Sequence, residues 1–393
     1  MNLYEFQAKR LLARYGIQAP MGEVAATAEE ATAAARRLGA QRYVVKAQIH
    51  TVDRLGQDAV VFAKTASEVG AKAKKLFGKP FAGGAGLPPQ TVAQVYVEEF
   101  VERPREIYLA IMLDRAFGRV LLVGSAAGGS SIEERSRTAP DSVKRLELAL
   151  GEGRLSGDFA GFASHLASEG KVIEAIASVI EDMAAAFVGY DATLIEINPL
   201  VVGGDGHVLA LDAKMTVDDN ALFRRPDLAR MREANDAQAA NTVELGAQRH
   251  QINYMTLDGD IGVAVNGAGL ALATQDLIVA AGGRPANFMD IRTTASSLDI
   301  AHGFGLLFAS PKVRVILVNV HGGGMQRCDT IAEGLGIALR RAKRVLPIVI
   351  RLAGNNAEFA RTVLTNNGVA HQVAGDMEEA AGLAVALARR EAH

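Results

Sequence analysis

The stretch LIEINPLVVGGDGHVLALDAKMTVDDNALFRRPDL, from Leu194 to Leu228, is the part of the sequence from which the fold can be worked out. Two apolar runs, Leu194 to Val202 and Val208 to Leu211, flank the four residues Gly203-Gly-Asp-Gly206. Apolar runs separated by a short glycine-rich segment are typical of a β-hairpin. We therefore predict two paired strands with a turn at Gly203 to Gly206.

Three polar side chains in this hairpin need an explanation. Glu196 and Asn198 fall on one face of the first strand because side chains alternate along a strand, and Asp212 arrives from the neighbouring strand. Carboxylate and amide oxygens suit Mg²⁺, which keeps several waters and takes further ligands from nucleotide phosphates. The alternative is a solvated hairpin face with scattered acids, and spacing alone leaves both interpretations open.

Composition narrows the class of protein. The chain has 393 residues, 49% of them apolar, with no Trp, which indicates two or three α/β domains with cores of Ala, Val, Leu and Ile. The 42 basic and 44 acidic residues nearly cancel. Because no sustained basic block is present to follow a phosphate backbone, we expect no nucleic-acid partner.

The cysteine count and the first residues of the sequence indicate the cellular compartment of the protein. Cys328 is the only cysteine, which excludes an intrachain disulfide framework and is compatible with a reducing cytosol. Glu5, Lys9 and Arg10 interrupt the apolar pattern of the first helix, so the segment lacks the core of a signal peptide. No apolar run has the length of a membrane span. We expect a cytoplasmic protein without membrane association.

The residues before the hairpin contain one unusual lysine. A helix from Ala28 to Leu38 precedes a strand from Tyr43 to Gln48, in which Lys46 has apolar neighbours. A lysine in a strand is costly to bury without an anion, so Lys46 either points to solvent or faces a phosphate. Further strands are predicted at 94–97, 107–113 and 120–124, and helices within 160–188.

The pattern changes after Arg232. Residues 233–251 are polar and poor in large apolar side chains, and we expect a linker or surface connection there. Beyond it, apolar strands alternate with helices, which indicates a parallel doubly wound sheet. The predicted strands are 261–265, 287–291, 313–320 and 346–352, and the predicted helices are 270–281, 298–308, 330–341 and 357–365.

Ligands of such sheets bind beyond the carboxyl ends of the strands. Three glycine-rich or polar junctions lie there, at 266–269, 321–324 and 354–356. Each offers backbone N–H groups to an anion, or simply makes a tight turn. The first junction also resembles a dinucleotide fingerprint, but Leu272 stands where Gly or Ala belongs, which argues against a nicotinamide dehydrogenase.

Taken together, these motifs form a recognisable set. The sequences MNLYEFQAKRLLARYGI, VVKAQIH, EINPLVV, VNGAGLA, PANFMD, RCD and RLAGNNAE resemble the β-subunit of succinyl-CoA synthetase, in the order of that family and over nearly the whole chain. The wording AKMTVDDNALFRRPDL also resembles the malate–CoA ligase branch. The resemblance implies an ATP-grasp domain at 1–236 and a flavodoxin-like domain at 237–393.

The resemblance also implies a reaction and a partner. In this family ATP or GTP, with Mg²⁺, phosphorylates a histidine on a separate α-subunit that binds CoA. The phosphoryl group then passes to the carboxylate of a small acid, and the CoA thiol displaces it to give the thioester. We expect an αβ or α2β2 assembly acting on succinate, malate or a related dicarboxylate.

Carried over by position, the resemblance assigns roles to individual residues. It places Lys46, Arg54, Glu98 and Glu106 at the nucleotide, Asn198 and Asp212 on Mg²⁺, and Glu196 near the phosphohistidine. It implies a substrate site at Asn266, Gly323 and Gly324. Arg327 would start the helix whose dipole stabilises the phosphorylated histidine.

The chain departs from the family in its glycine-rich segments. Where the family has HAGGRGKAGGV, residues 50–60 read HTVDRLGQDAV, so most glycines are lost and Asp53 and Asp58 add negative charge. Residues 291–295 read IRTTA in place of DVGGGA, and HGGGMQRCD is one residue longer than FGGIVRCD. Two interpretations follow: a divergent ligase subunit, or a non-catalytic relative that binds an α-like partner as a scaffold or regulator. The retained polar cluster favours the enzyme.

Overall fold

The computed structural model describes residues 1–50, 58–81, 90–129, 132–238 and 243–390. The chain divides into two units, Met1–Ala239 and Ala240–His393. In the part of the chain that the structure describes, no helix is both long and apolar enough to cross a bilayer.

The first unit mixes helices with antiparallel strands. Its described α-helices are α1 (Glu5–Ala13), α2 (Ala28–Leu38), α3 (Ala66–Leu76), α4 (Ile132–Thr138), α5 (Phe159–Ser164), α6 (Gly170–Gly189) and α7 (Pro226–Gln238). Short 3₁₀ helices occupy Pro140–Ser142 and Asp219–Arg224. Its described strands are β1 (Gly22–Ala25), β2 (Tyr43–Ala47), β3 (Val60–Ala63), β4 (Pro80–Phe81), β5 (Gln90–Thr91), β6 (Val95–Glu99), β7 (Arg105–Asp114), β8 (Arg119–Ser125), β9 (Lys144–Gly151), β10 (Arg154–Ser156), β11 (Ala192–Val202), β12 (Val208–Ala210) and β13 (Ala213–Val217).

Two larger sheets organise this unit. The smaller has the order β1-β6-β2-β3, and the larger has the order β10-β9-β8-β7-β11-β12, with β13 also paired to β11. All of these pairings are antiparallel. Leu200 to Val202 of β11 pair with β12, which confirms the predicted hairpin around Gly203 to Gly206. The strand β13 continues the chain beyond the predicted hairpin and pairs with the first half of β11.

The larger sheet buries one face against α6. This helix presents Ile176, Ile180 and Met183 to the core. Leu109 of β7 and Ile195 of β11 belong to the same buried cluster. Since burial of each such side chain contributes about 1.5–3 kcal/mol, this layer holds β7 and β11 in place. The result is a rigid base for the polar side chains on the opposite face of β11.

The second unit is a doubly wound sheet with one antiparallel edge. Its described helices are α8 (Val243–Arg249), α9 (Ala268–Ala280), α10 (Ser297–Ala309), α11 (Cys328–Arg341), α12 (Ala357–Asn366) and α13 (Met377–Arg390). Its strands are β14 (Ile252–Thr256), β15 (Ile261–Val265), β16 (Asn287–Ile291), β17 (Val315–Gly322), β18 (Ile348–Gly354) and β19 (Gln372–Val373), in the order β14-β16-β15-β17-β18-β19. All neighbours are parallel except β14 and β16.

The expectation of a linker or surface connection at 233–251 agrees with the boundary between the two units, which falls between Ala239 and Ala240, but the described residues on both sides of that boundary are helical. The segment 233–238 continues α7, and 243–249 forms α8. The first part of α7 packs on the core through the buried Leu228. Its last part is held by Asn235, which is buried and exchanges two hydrogen bonds with the Gln7 side chain, at 2.7 and 3.1 Å. Because the contact in this part of the helix is an amide pair, the lack of large apolar residues after Arg232 does not indicate a linker.

Candidate functional site

The first unit contains a cleft that is partly open to solvent. Its lining includes Lys46, Glu98, Glu106, Glu196, Asn198 and Asp212, together with Val44, Val60, Phe62, Phe100, Arg103 and Lys214. The structure thus brings together on one cleft the sequence-predicted nucleotide and metal residues that belong to its described part. Arg54 and Asp53 lie outside the described residues.

The side chain of Asn198 is held by backbone. Its Oδ1 accepts a hydrogen bond from the Gly129 N–H at 2.7 Å, and its Nδ2 donates to the Gly129 carbonyl at 3.0 Å. The Asn198 N–H donates to the Asp212 carbonyl at 3.1 Å, which places Asp212, in the bend between β12 and β13, beside Asn198 of β11. Both side chains line the cleft.

This donor set suits one kind of metal. Among the described residues, no group of three or more His, Cys, Asp or Glu side chains is placed to hold a metal ion. Mg²⁺ does not need such a cage, because it is held by one or two carboxylates plus substrate phosphates and waters. Asp212 supplies the carboxylate and Asn198 an amide oxygen with a second lone pair, so the residues present fit Mg²⁺.

Lys46 is buried and its ammonium group is fully engaged. Nζ lies 2.7 Å from Glu5 Oε1, 2.5 Å from Glu98 Oε2 and 2.8 Å from the Leu211 carbonyl. Burial alone would lower the pKa of Lys46, but the charges of Glu5, Glu98 and Asp212 outweigh it and raise this pKa above its ordinary value. The group is therefore a permanent cation, and all three of its protons already have acceptors.

Glu98 belongs to the same buried network. Lys9 contacts both Glu5, at 2.9 Å, and Glu98, and the side chains of the four residues are at most 7% exposed. The network has two positive and two negative groups, so its charges balance. Glu5 and Lys9 were not assigned to the site from the sequence. Both interrupt the apolar pattern of α1, and this interruption could have indicated that they are paired with charged residues.

Two further cations that were not predicted from the sequence, Lys214 and Arg103, line the cleft. Lys214 is paired in register with Glu196 across β11 and β13, with Nζ 3.4 Å from Oε1. Arg103 lies 3.3 Å from Glu106. The alternation Asp212, Ala213, Lys214 was available as a signal, because residues two apart on a strand share a face.

In the second unit, Asn266 lies at the carboxyl end of β15. Its Nδ2 donates to the His321 carbonyl at 2.8 Å, and its Oδ1 accepts from the His321 N–H at 2.9 Å, so its side chain joins β15 to the end of β17. Gly323 donates its N–H to the Gln326 carbonyl at 2.9 Å and accepts from Asn355 Nδ2 at 3.1 Å. Gly324 is exposed in the same turn.

Arg327 occupies the position before the first residue of α11. Its guanidinium is more than half exposed and lies 3.3 Å from Asp329 Oδ2. The helix begins at Cys328, two residues before the predicted start at 330 and directly after Arg327, and the positive end of the helix dipole is at this turn.

The altered segment at 291–295 contacts the altered segment at 321–327. Arg292 donates from Nε and Nη2 to Asn253 Oδ1, at 3.1 and 2.8 Å. The buried Gln326 amide, oriented with its nitrogen toward the first segment, donates to the carbonyls of Arg292 and Thr293 at 3.0 and 3.1 Å. One side chain therefore fastens the two segments together.

Two family models match the chain. The model of the ATP-grasp domain matches residues 2–202, and the model of the CoA-ligase domain matches residues 264–387. The structure of ATP citrate lyase from Methanothrix soehngenii, in complex with citrate and CoA, covers 98% of this chain and 99% of its own with a TM-score of 0.75. At 18% identity this likeness shows the fold, and the predicted order of an ATP-grasp domain followed by a doubly wound domain is confirmed.

Full-length relatives are closer in sequence. The succinate–CoA ligase [ADP-forming] β-subunit of Acidiphilium cryptum is 40% identical, with both chains covered completely. The same subunit of Bacillus subtilis is 38% identical over 98% of this chain and 100% of its own. A probable malate–CoA ligase β-subunit of Mesorhizobium japonicum is also 38% identical, over 100% and 99%. With both domain models matched and relatives of this identity aligned from end to end, the chain belongs to the family of succinate–CoA and malate–CoA ligase β-subunits.

Proposed function

We propose that this chain is the β-subunit of a carboxylate–CoA ligase that uses ATP or GTP with Mg²⁺ to form an acyl-CoA from succinate, malate or a related dicarboxylate. A separate α-subunit supplies the histidine that is phosphorylated and most of the CoA site. The observation that carries the proposal is the cleft of the first unit, where Lys46, Glu106, Glu196, Asn198 and Asp212 meet. We further propose a cytoplasmic location and domain limits of 1–236 and 237–393.

The cleft residues divide the work of nucleotide binding. Asn198 and Asp212 would hold Mg²⁺, which neutralises phosphate charge when it is bound. Glu106 and Arg103 border the nucleotide as an ion pair, and the buried network of Lys46 and Glu98 forms the floor of the cleft. Glu196 would face the histidine of the α-subunit, and Arg54 would contact phosphate.

The second unit would receive the acid and the phosphohistidine. Asn266, Gly323 and Gly324 lie in turns at the carboxyl ends of the strands, where ligands of doubly wound sheets bind. Arg327, at the start of α11, would add a positive side chain to the positive end of the helix. Arg292 replaces a glycine of the family pattern in the neighbouring turn, so we expect the acid preference to differ from that of a succinate enzyme.

Calorimetric titration of the purified chain with ATP and GTP, each with and without Mg²⁺, tests the nucleotide assignment. Mg²⁺-dependent binding of either nucleotide supports the ligase. The α-subunit is then added, and acyl-CoA formation is measured with succinate, malate and related acids. If no nucleotide binds even in the αβ complex, the proposal fails and the non-catalytic scaffold takes its place.

A further inference from the structure

Within the described lining of the cleft, the cations are Lys46, Arg103 and Lys214. They differ in how many of their donors are engaged. Lys46 has three close acceptors, so it contacts a phosphate only by giving one of them up. Arg103 lies beside Glu106, 3.3 Å away. Among the residues that the structure describes, Lys214 makes one long contact, 3.4 Å to Glu196, and 42% of its side chain is exposed. Of the two lysines, Lys214 is thus the one whose ammonium group can donate further hydrogen bonds without giving up a close contact.

The position of Lys214 matters as much as its free donors. Glu196 and Lys214 form one cross-strand pair, and Asn198 and Asp212 lie one step further along the same two chain segments. Two residues of a strand span about 6.6 Å. Lys214 therefore lines the same cleft as the predicted Mg²⁺ ligands, and its backbone is about 6.6 Å, or two residues, from that of Asp212.

We propose that Lys214 is a catalytic residue that contacts the phosphoryl group as it is transferred. This inference rests on the proposed function. In the step, an imidazole nitrogen of the α-subunit histidine forms a bond to the γ-phosphorus. The bond from that phosphorus to the bridging oxygen breaks, and its electron pair leaves with the nucleoside diphosphate.

The reacting group carries negative charge on its three equatorial oxygens. Glu196, which shares this face of the sheet, repels that charge, and the Lys214 ammonium offsets the carboxylate and donates hydrogen bonds to the oxygens. A merely structural ion pair is the competing explanation. The contact is long, at 3.4 Å, and the Lys214 side chain is 42% exposed, so this explanation predicts almost no effect on phosphorylation when the lysine is removed.

The test uses the αβ complex with Lys214→Met, Lys214→Arg and the control Lys144→Met. Lys144 is an exposed lysine of β9 in the same unit that does not line the cleft. The dissociation constant of the Mg²⁺–nucleotide complex is measured by calorimetry, and phosphorylation of the α-subunit is followed in single-turnover experiments with nucleotide labelled at the γ-phosphate.

We expect Lys214→Met to slow phosphorylation by about 100-fold, as for loss of a group that stabilises transition-state charge, with a dissociation constant within about threefold of the wild type. Lys214→Arg should recover part of the rate because it keeps the charge. Lys144→Met should match the wild type in both measurements.

Two outcomes overturn the inference while the wild type remains active. A phosphorylation rate of Lys214→Met within about threefold of the wild type would show a structural pair. An equal loss of rate and affinity would show a ground-state nucleotide contact. If Lys214→Met does not fold, Lys214→Arg decides: a rate as low as that of a complex without nucleotide contradicts a role for the charge. If the wild-type complex neither binds nucleotide nor phosphorylates the α-subunit, the proposed function itself fails.

Discussion

The carboxamide of Asn198 and the backbone of Gly129 are joined by two opposed hydrogen bonds, 2.7 and 3.0 Å long. This arrangement fixes which way the amide faces, because swapping its oxygen and nitrogen would set like groups against each other. Gly129 itself has φ of +98°, which favours glycine. The orientation of a predicted metal ligand is therefore set by a glycine 69 residues earlier in the chain.

Gly129→Ala should weaken Mg²⁺-dependent nucleotide binding by about tenfold, since an alanine both strains the positive φ and places its Cβ about 3.2 Å from Glu106 Oε2. Calorimetry with ATP and Mg²⁺ measures the change. Gly118→Ala is the matched control: Gly118 also has a positive φ, +64°, but its Cβ would meet open space. Equal affinities of the two variants would contradict a role for the Gly129 contact.

Asp212→Ala should abolish the Mg²⁺-dependent part of nucleotide binding while leaving the fold intact, because it removes the carboxylate from the predicted ligand pair. Titrations with and without Mg²⁺ check the first statement, and circular dichroism checks the second. Asp141→Ala, at an exposed site of the same unit, serves as the control. Binding that keeps its Mg²⁺ dependence in Asp212→Ala would remove Asp212 from the metal site.

Lys46→Met should lower the free energy of unfolding by about 3–5 kcal/mol, because it leaves Glu5 and Glu98 with one buried cation in place of two. Denaturant titration of the full chain gives the value. The double variant Lys46→Met/Glu98→Leu should recover part of the loss, since it restores the balance of charge. A single variant as stable as the wild type would mean that the network contributes nothing net.

Acid should destabilise the second unit through His302. Its ring stacks on that of His250 at 3.9 Å, and His250 Nδ1 lies 3.0 Å from Asp299 Oδ1. Burial, followed by the charge of His250, lowers the pKa of His302 below its ordinary value of 6.5, against the smaller opposing effect of Asp299. The unfolded chain then binds the proton more readily. This contribution to stability is complete above pH 6.5 and is lost as the pH falls toward the pKa of the folded state.

His302→Phe keeps the stacked ring and removes the titration. The drop in melting temperature between about pH 7.5 and about pH 5.5 should therefore be smaller in this variant than in the wild type. His165→Phe, at an exposed histidine of the first unit, should leave the drop unchanged. An undiminished drop in His302→Phe would assign the acid sensitivity to other groups.

Much of the fold followed from local patterns. The helix 28–38 and the strands 261–265 and 287–291 have the predicted bounds. The strand β14 escaped prediction because its place depends on antiparallel pairing with β16, a contact that no local pattern encodes. The end of α7 and the whole of α8 were not predicted because residues 233–251 are polar, and the end of α7 docks through the amide of Asn235.

The candidate site, too, has a part that local patterns predicted and a part that they did not. Alternation along β11 was enough to predict Glu196 and Asn198 on one face, and the bend before β13 brings Asp212 beside them through the hydrogen bond from the Asn198 N–H. The sequence did not predict that all three donors of the Lys46 ammonium group are engaged. Their acceptors are Glu98, Glu5 and a backbone carbonyl, which are distant in sequence and meet only in the folded chain.

Gln326 links the two segments in which this chain departs from the family pattern near the end of β17 and β16. The nitrogen of its buried side-chain amide donates to the carbonyls of Arg292 and Thr293, and the backbone carbonyl of Gln326 accepts a hydrogen bond from the Gly323 N–H. A change of length or shape in either segment displaces the other. The lengthened HGGGMQ turn and the IRTT turn are thus structurally coupled, and grafting a succinate-type sequence into only one of them would remove the contacts that hold the other.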